Sequence, residues 1–325
     1  MKRILAVGYF GFGNLGDEAC LEAFKNKVGG DRIDVLRLSG RQGASFSDLS
    51  RLNGIKDYLA VVFVGGNLLQ NKTSKKSLYF YLSVIRAAKR QGVPVCFISS
   101  GIGEIYGARD ARATEKALGR VTFFGARTAS DLKKSQSAKA SHIMPDLCFL
   151  HSVEAVARRD TVVYIPKDKS CLDLFLRTHR ELGARAVIVP TFYSADISLC
   201  KRLCSAHKIP MFIPNGYQDL LTLLSGAAIS FCERLHGAVF SLLSLTPAVI
   251  SDTQEKCRDF FGEVSERAAR LNIKIPIYQQ GELPDTSLLK KELGAKSSEF
   301  EKILVSFKAD LERGFRELFN TLGEN

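Results

Sequence analysis

The sequence contains no apolar run long enough to span a membrane, and its longest apolar runs are the size of β-strands. After Met1-Lys2-Arg3, glycines follow too early for a signal peptide, and no small-residue cleavage site is present. We therefore expect a cytoplasmic protein whose chain starts with a strand. The formal net charge of +12 permits a peripheral contact with the anionic inner face of the membrane.

Metal-binding spacing is also missing. The eight cysteines include no CxxC pair, and no cluster of histidine and cysteine accompanies Cys200 and Cys204 at zinc spacing. We expect reduced thiols, no metal site and no cofactor. The basic residues form no stripe interleaved with aromatic residues, so no nucleic-acid partner is expected and an anionic small substrate fits the charge better.

The chain of 325 residues exceeds the size of one ordinary hydrophobic core, which predicts two domains. Short β-type runs alternate with helical patterns, as in parallel α/β sheets. We predict an α/β, GT-B-like fold in which two Rossmann-like domains with parallel sheets face each other across a cleft. The predicted boundaries are 1–153 and 154–284 for the two domains and 285–325 for a helical tail that packs across both.

Most predicted strands are continuous apolar runs, which are typical of buried parallel strands. The polar segment Glu154–Asp160 is the predicted linker between the two sets of strands. In the first domain the strands are the apolar run that begins at Ile4 and leads into the glycine-rich turn, Ile33–Leu38, Ala60–Val64, Val93–Ile98 and Val121–Gly125; in the second they are Thr161–Ile165, Ala186–Pro190, Pro210–Pro214, Ala228–Cys232 and Ala248–Ser251.

The first predicted strand leads into a glycine-rich turn and a helix, an arrangement that binds anions. Gly11, Gly13 and Gly16 match the spacing of a dinucleotide fingerprint. However, Asp17 and Glu18 occupy the first helical turn, where they would repel a pyrophosphate. These carboxylates suit sugar hydroxyls or proton transfer, and capping of the helix is an equally weighted alternative. A dinucleotide-dependent oxidoreductase is therefore the weaker interpretation.

Polar or glycine-rich loops follow several predicted strands of the first half. Gly66 and Asn67 come after one strand, and Arg127 comes after another. Because the carboxyl ends of parallel strands share one edge of a sheet, these residues are expected at a ligand-binding rim.

A second group of candidate residues lies at the junction between a predicted strand and a predicted helix: Glu233-Arg234-Leu235-His236-Gly237. An arginine fork beside helix N–H groups favours phosphate or carboxylate, and a histidine can bind phosphate or accept a hydroxyl proton. For His236 taken alone, a helix-capping role is the slightly favoured alternative. Lys256, early in a later helix, is an additional candidate, although such lysines more often lie on a solvated face.

Four blocks of the sequence together resemble the polysaccharide pyruvyl transferase family, especially its S-layer-anchoring branch. They are GYFGFGNLGDEA at 8–19, GGNLLQNKTSKKSLYFY at 65–81, SSGIG at 99–103 and ERLHGAVFS at 233–241. The resemblance covers most of the chain, and the four blocks occur in the family's order.

The resemblance implies transfer of a pyruvyl group from phosphoenolpyruvate to a sugar, with formation of a cyclic ketal. It implies that Arg234 and His236 of the C-terminal domain, the phosphoenolpyruvate side, bind the donor together with Arg127 of the N-terminal domain. The Leu235 backbone is expected to help, and Lys256 is our addition. The expected acid–base groups are His236, Asp17 and Glu18. The N-terminal domain is the expected acceptor side, and the acceptor-binding candidates are Gly13, Asn14, Asp17, Gly66, Asn67 and Gln70.

The sequence departs from the family pattern at three carboxylate or glycine positions. Thr128 replaces an acidic residue after the arginine, Asn67 replaces a third glycine, and Asn71 replaces an acidic residue. Two alternatives therefore stay open: a GT-B glycosyltransferase that uses a nucleotide sugar, and a non-catalytic relative that binds sugar or phosphate. Relatives act on cell-wall or exopolysaccharide sugars, often lipid-linked, which makes such an acceptor the expected partner.

Overall fold

The computed structural model describes residues 2–36, 38, 53–154, 160–282 and 297–324. The chain divides into two compact units. The first comprises Met1–Phe12, Asp17–Leu150 and Ala309–Asn325; the second comprises Gly13–Gly16 and His151–Lys308. Most of the predicted linker, residues 155–159, and the predicted start of the tail at 285 lie outside the described residues.

The first unit contains a six-stranded, fully parallel sheet in the order β2-β1-β3-β4-β5-β6. The four inner strands β1, β3, β4 and β5 are buried on both faces, as expected of a parallel sheet, whereas the edge strands β2 and β6 are partly exposed. The ranges are β1 Ile4–Val7, β2 Ile33–Val35, β3 Ala60–Val64, β4 Val95–Ser100, β5 Phe123–Ala126 and β6 Ser141–Ile143.

Helices cover this sheet, since the crossover between two parallel strands is usually an α-helix. They are α1 Leu15–Val28, α2 Lys75–Arg90, α3 Ala108–Leu118 and α4 Ala129–Lys134. Ser74 caps α2 by accepting the Ser77 N–H at 3.1 Å. On the sheet, the rings of Phe63 and Phe97 stack with centroids 4.3 Å apart, and Phe124 stacks on Phe97 at 5.1 Å. This aromatic column fixes strands β3, β4 and β5 side by side.

The second unit contains a five-stranded parallel sheet in the order β11-β10-β9-β7-β8. Its ranges are β7 Thr161–Ile165, β8 Arg185–Ile188, β9 Ile229–Cys232, β10 Ala248–Ile250 and β11 Ile277–Gln279. Its helices are α5 Leu172–Leu182, α6 Tyr193–His207, α7 Tyr217–Ser225, α8 Leu235–Leu243 and α9 Glu255–Arg270. The expectation of two parallel α/β sheets is confirmed.

The predicted strand Pro210–Pro214 is wrong. Only Met211 forms an isolated bridge there, to Ile188. Prolines at both ends of the segment lack the N–H that a ladder needs, so pairing stops after one residue. Conversely, the sequence does not predict β11, because a strand of three residues is too short to show a period.

The predicted helical tail is confirmed over α10, Ser297–Leu322. Its residues as far as Lys308 group with the second unit, and those from Ala309 group with the first. Apolar side chains at helical spacing are buried along it: Phe300, Ile303, Phe307, Leu311 and Phe315. In the described ranges, no helix combines the length and apolar character that crossing a membrane requires.

Candidate functional site

At the rim of the first sheet, the loops after β3 and β4 are held together by backbone hydrogen bonds. Gly65 and Gly66 turn the chain with φ values of +62° and +66°, a left-handed conformation that favours glycine. The Gly101 N–H donates to the Gly66 carbonyl at 2.9 Å, and the Gly103 N–H donates to the Leu69 carbonyl at 3.1 Å. Two of the sequence blocks thus form one rigid edge.

Arg127 and Asn67 meet at this edge. The buried Arg127 guanidinium donates to the Asn67 side-chain oxygen, and its backbone N–H donates to the Ser100 carbonyl at 3.1 Å. A β-carbon on Gly101 would overlap the Asn67 oxygen and lie 2.9 Å from the arginine, so only glycine accommodates the pair. Because the Asn67 side chain is a neutral amide, this hydrogen bond leaves the positive charge of Arg127 uncompensated by Asn67.

The carboxylate missing at position 128 has a structural explanation. Thr128 caps α4 by accepting the Asp131 N–H at 3.1 Å, and its hydroxyl donates to the Asp131 carboxylate at 2.8 Å. The same carboxylate accepts the Ile102 N–H at 2.9 Å. Asp131 is therefore a buried acidic group of this rim that the sequence prediction passed over, and it orders the loop after β4.

The two carboxylates in the first turn of α1 differ in their surroundings. Glu18 accepts the Gly11 N–H at 2.5 Å and so holds the glycine turn, which supports the capping alternative for this residue. Asp17 is buried, and its Oδ1 lies 3.6 Å from where a β-carbon of Gly66 would stand. Burial, and then the negative charge of Asp17, raise the pKa of Tyr9 above its usual value. Asp17 is thus the stronger candidate for chemistry.

Gln70 and Asn71 mainly organise the loop after β3. The Gln70 side-chain NH₂ group donates to the Thr73 hydroxyl, and the Gln70 side-chain oxygen accepts the Thr73 N–H at 3.0 Å. The Asn71 amide donates at 2.8 Å to the Asp110 carboxylate, which also accepts the Tyr79 hydroxyl at 2.8 Å. These two donors and Lys75 hold the pKa of Asp110 below its usual range. Position 71 therefore lacks the carboxylate of the family pattern, but Asp110 of α3 supplies a carboxylate to the same loop.

This arrangement predicts that Asn71→Asp, which restores the acidic residue of the family pattern, destabilises the protein at neutral pH. Two carboxylates would then face each other where an amide now donates to one. Since a like charge raises the pKa of a carboxyl, one of the two groups should take up a proton above the ordinary pKa of about 4. The loss relative to wild type should therefore shrink as the pH falls toward about 4 and be smallest below it. Thermal melts between neutral and acidic pH test this, with Asn71→Gln as the neutral control. A deficit independent of pH would contradict it.

In the second unit, Glu233 is a fully buried carboxylate at the end of β9. One oxygen accepts the Tyr164 hydroxyl at 2.6 Å and the Cys171 N–H at 2.8 Å. The other accepts the N–H groups of residues 167, 168 and 169 at 2.6, 2.7 and 2.9 Å. Burial, and then the Glu233 charge, raise the pKa of Tyr164 far above its usual value. Glu233 thus fixes the loop after β7 against the end of β9.

Arg234 follows as the N-cap residue of α8. Its Nη2 donates to the Asp196 carboxylate, which is buried at the start of α6 and accepts the Phe192 N–H at 2.9 Å. The guanidinium also lies over the Phe192 ring, 5.7 Å from its centroid. Its Nε is buried and has no hydrogen-bond partner among the residues that the structure describes. The fork is therefore oriented on one side and keeps donor capacity for an anion.

His236 lies against the opening glycine motif. A β-carbon on Gly16 would overlap the imidazole ring, so the ring occupies the space that the glycine leaves. The segment Gly13–Gly16 is itself tied to residues 191–193: the Leu15 N–H donates to the Thr191 carbonyl at 3.0 Å, and the Tyr193 N–H donates to the Gly13 carbonyl at 3.0 Å. Asn14 bridges to Phe192 in the same ladder. The candidates Gly13, Asn14, Arg234 and His236 are thus brought together in this unit.

We expect Gly16→Ala to lower stability by about 1–3 kcal/mol, because a methyl group is forced into a filled space. Helix propensity alone would favour alanine by about 1 kcal/mol, so the sign of the change identifies the steric contact with His236. Urea denaturation measures it. Gly30→Ala is the matched control, since a β-carbon there meets nothing within 4 Å. Equal effects of the two substitutions would contradict the contact.

Leu235 and Lys256 complete the edge of the second sheet. Leu235 is buried, and as the first residue of α8 it presents one of the N–H groups that have no acceptor within a helix. Lys256 is the second residue of α9, whose cap residue Gln254 donates to the Glu233 carbonyl at 3.0 Å. Lys256 follows β10 and Arg234 follows β9, and these two strands are neighbours in the sheet.

Solved structures with a similar fold include UDP-GlcNAc 2-epimerases and an α-glucosyltransferase. The chain aligns over 98% of its length with all of the UDP-GlcNAc 2-epimerase of Methanocaldococcus jannaschii, at 14% identity and a TM-score of 0.58. It aligns over its whole length with all of the Neisseria meningitidis UDP-GlcNAc 2-epimerase, at 12% identity and a TM-score of 0.56. An α-glucosyltransferase in complex with UDP-glucose and DNA covers 99% of both chains, at 11% and 0.54. These similarities establish the GT-B-like fold class.

The sequence narrows this class further. The sequence model of the polysaccharide pyruvyl transferase family matches residues 14–254, from the opening glycine motif to the cap of α9. The chain belongs to the polysaccharide pyruvyl transferase family. No curated protein matches it significantly.

Proposed function

We propose that the protein transfers a pyruvyl group from phosphoenolpyruvate to two hydroxyls of one sugar in a cell-wall or surface polysaccharide precursor. Family membership supports the pyruvyl transfer. The observation that carries the donor assignment is Arg234, an arginine oriented by Asp196 at the start of α8 with a buried, unpartnered Nε among the described residues. A dianionic phosphate and a carboxylate are what such a fork and helix terminus bind best.

The proposed reaction begins with protonation of C3 of phosphoenolpyruvate, which makes C2 electrophilic. One sugar hydroxyl adds to C2 and loses its proton, and the bond between C2 and the phosphate oxygen breaks. A second hydroxyl then adds to C2 and loses its proton. The products are a cyclic ketal bearing a methyl group and a carboxylate, and inorganic phosphate. The chemistry requires an anion clamp, one acid and a proton acceptor.

Residues of this chain fit those needs. Arg234, the Leu235 N–H and Lys256 are proposed to bind the donor anion, and family resemblance makes Arg127 a further proposed donor-binding residue. His236 binds phosphate or accepts a hydroxyl proton, and Asp17 is the proposed acid or acceptor ligand. Glu18 is less suited because its carboxylate holds the Gly11 N–H. Gly66, Asn67 and Gln70 are proposed to shape the acceptor rim.

The finer assignments are also proposals. Resemblance of the opening motif to the S-layer-anchoring branch supports a cell-wall acceptor carried on a lipid. The net charge of +12 supports an encounter with an anionic membrane surface, and no resident cofactor is proposed.

Calorimetric titration of the purified protein with phosphoenolpyruvate, inorganic phosphate and a panel of nucleotide sugars tests the donor. We expect saturable binding of phosphoenolpyruvate, weaker binding of phosphate, and competition between the two. Binding of a UDP-sugar without binding of phosphoenolpyruvate would overturn the proposal and favour a glycosyltransferase.

A further inference from the structure

Two buried cysteines and one buried aspartate lie together in the first unit. Cys20, in the second turn of α1, has its Sγ 3.7 Å from the Sγ of Cys148 and 3.4 Å from Oδ1 of Asp146. All three side chains are essentially shielded from solvent. Sequence spacing could not indicate this cluster, because Cys20 precedes Asp146 by 126 residues and Cys148 by 128.

The separations match those around a tetrahedral zinc ion. Zinc–sulfur bonds of about 2.3 Å and zinc–oxygen bonds of about 2.0–2.2 Å place two tetrahedral sulfurs about 3.8 Å apart and a sulfur and an oxygen about 3.5–3.6 Å apart. The sulfurs are not joined in a disulfide, which would bring them to about 2.05 Å. Two sulfurs and a carboxylate form a donor set suited to zinc rather than to magnesium or calcium.

Local backbone structure holds the three groups in place. Asp146 Oδ1 accepts the Cys148 N–H at 3.0 Å, which fixes both residues at the start of the short helix Leu147–Leu150. On the other side, a β-carbon of Gly65 would lie 3.3 Å from the Cys20 sulfur, so the end of β3 closes over it. The cluster therefore connects α1 with the segment that follows β6.

We propose that Cys20, Asp146 and Cys148 bind a zinc ion that ties the start of α1, one turn after Asp17, to the segment following β6. Three side-chain ligands leave the fourth position of a tetrahedral ion for water or another donor. None of these three ligands is assigned to phosphoenolpyruvate or to proton transfer, so binding of the ion and binding of the donor can be measured separately.

Cobalt substitution tests the proposal on the full-length, reduced protein. After chelator treatment, added Co²⁺ should give a thiolate-to-cobalt absorption band in the near ultraviolet and the visible bands of a tetrahedral ion. Zn²⁺ should displace it at about one ion per chain. Cys20→Ser and Cys148→Ser should each weaken zinc binding by roughly tenfold or more, as measured by competition with a chromogenic chelator.

Cys200→Ser is the matched control, because Cys200 is equally buried but lies on α6. If the serine variants do not fold, protection of Cys20 and Cys148 from alkylation by added Zn²⁺, mapped on the wild type by mass spectrometry, decides the matter. Absence of the charge-transfer band in wild type, or equal losses in Cys200→Ser and Cys20→Ser, would overturn the proposal. The cluster would then be two thiols in van der Waals contact, with one donating an S–H bond to Asp146.

Discussion

Arg234→Ala is expected to lower kcat/KM for phosphoenolpyruvate by about 10²- to 10³-fold, the loss typical when a preorganised donor to an anion is removed. The substitution also leaves the buried Asp196 carboxylate without its cation, which should cost about 3–5 kcal/mol of stability. Loss of activity and loss of folding must therefore be separated.

Arg234→Lys makes that separation. A lysine keeps a positive charge near Asp196 but lacks the planar fork, so stability should fall less than in Arg234→Ala while donor binding still fails. Arg202→Ala, an exposed arginine on α6 of the same unit, is the control for a general change of charge. Activity assays with urea denaturation of each variant measure both quantities. A folded Arg234→Lys protein with wild-type affinity for phosphoenolpyruvate would remove Arg234 from the donor site.

Glu233→Gln should lower stability strongly. A glutamine has one acceptor oxygen, so its NH₂ group must face either the N–H groups of residues 167–169 or the Tyr164 hydroxyl and the Cys171 N–H. Donor groups would then lose their acceptor in a buried position, at a cost of about 3–5 kcal/mol.

The midpoint of urea unfolding gives the size of this effect. Glu301→Gln, at an exposed position on α10, is the matched control and should leave the midpoint unchanged. Because Arg234 is the next residue, a partly stable Glu233→Gln protein should also bind phosphoenolpyruvate more weakly. An unchanged midpoint would show that the loop after β7 does not depend on this carboxylate.

The sequence was sufficient for those features that local pattern determines. Continuous apolar runs such as Ala60–Val64 predicted buried parallel strands, and glycines or polar residues directly after them predicted the binding edge. The position of Arg234 at the start of a helix followed from the change of hydrophobic period. Each of these depends on residues that are close in the chain.

Pairings between distant residues could not be predicted in this way. Asp196 lies 38 residues before Arg234, and nothing in its surroundings marks it as the partner of an arginine. Glu233 was visible beside the arginine, but a glutamate at a strand end is usually solvated, so its burial depended on four N–H groups supplied by another loop. In the sequence Asn71 replaces a carboxylate, and its bond to Asp110 is visible only in the structure.

The membership of Gly13–Gly16 in the second unit has a consequence for dissecting the protein. A C-terminal fragment that begins at residue 151, the boundary between the units, lacks Gly13–Gly16. This segment pairs with residues 191–193 and packs against the His236 ring. Such a fragment should expose that edge and fail to hold His236 in place. Supplying the opening peptide on a linker, or permuting the chain, would be needed to obtain the second half in a native form.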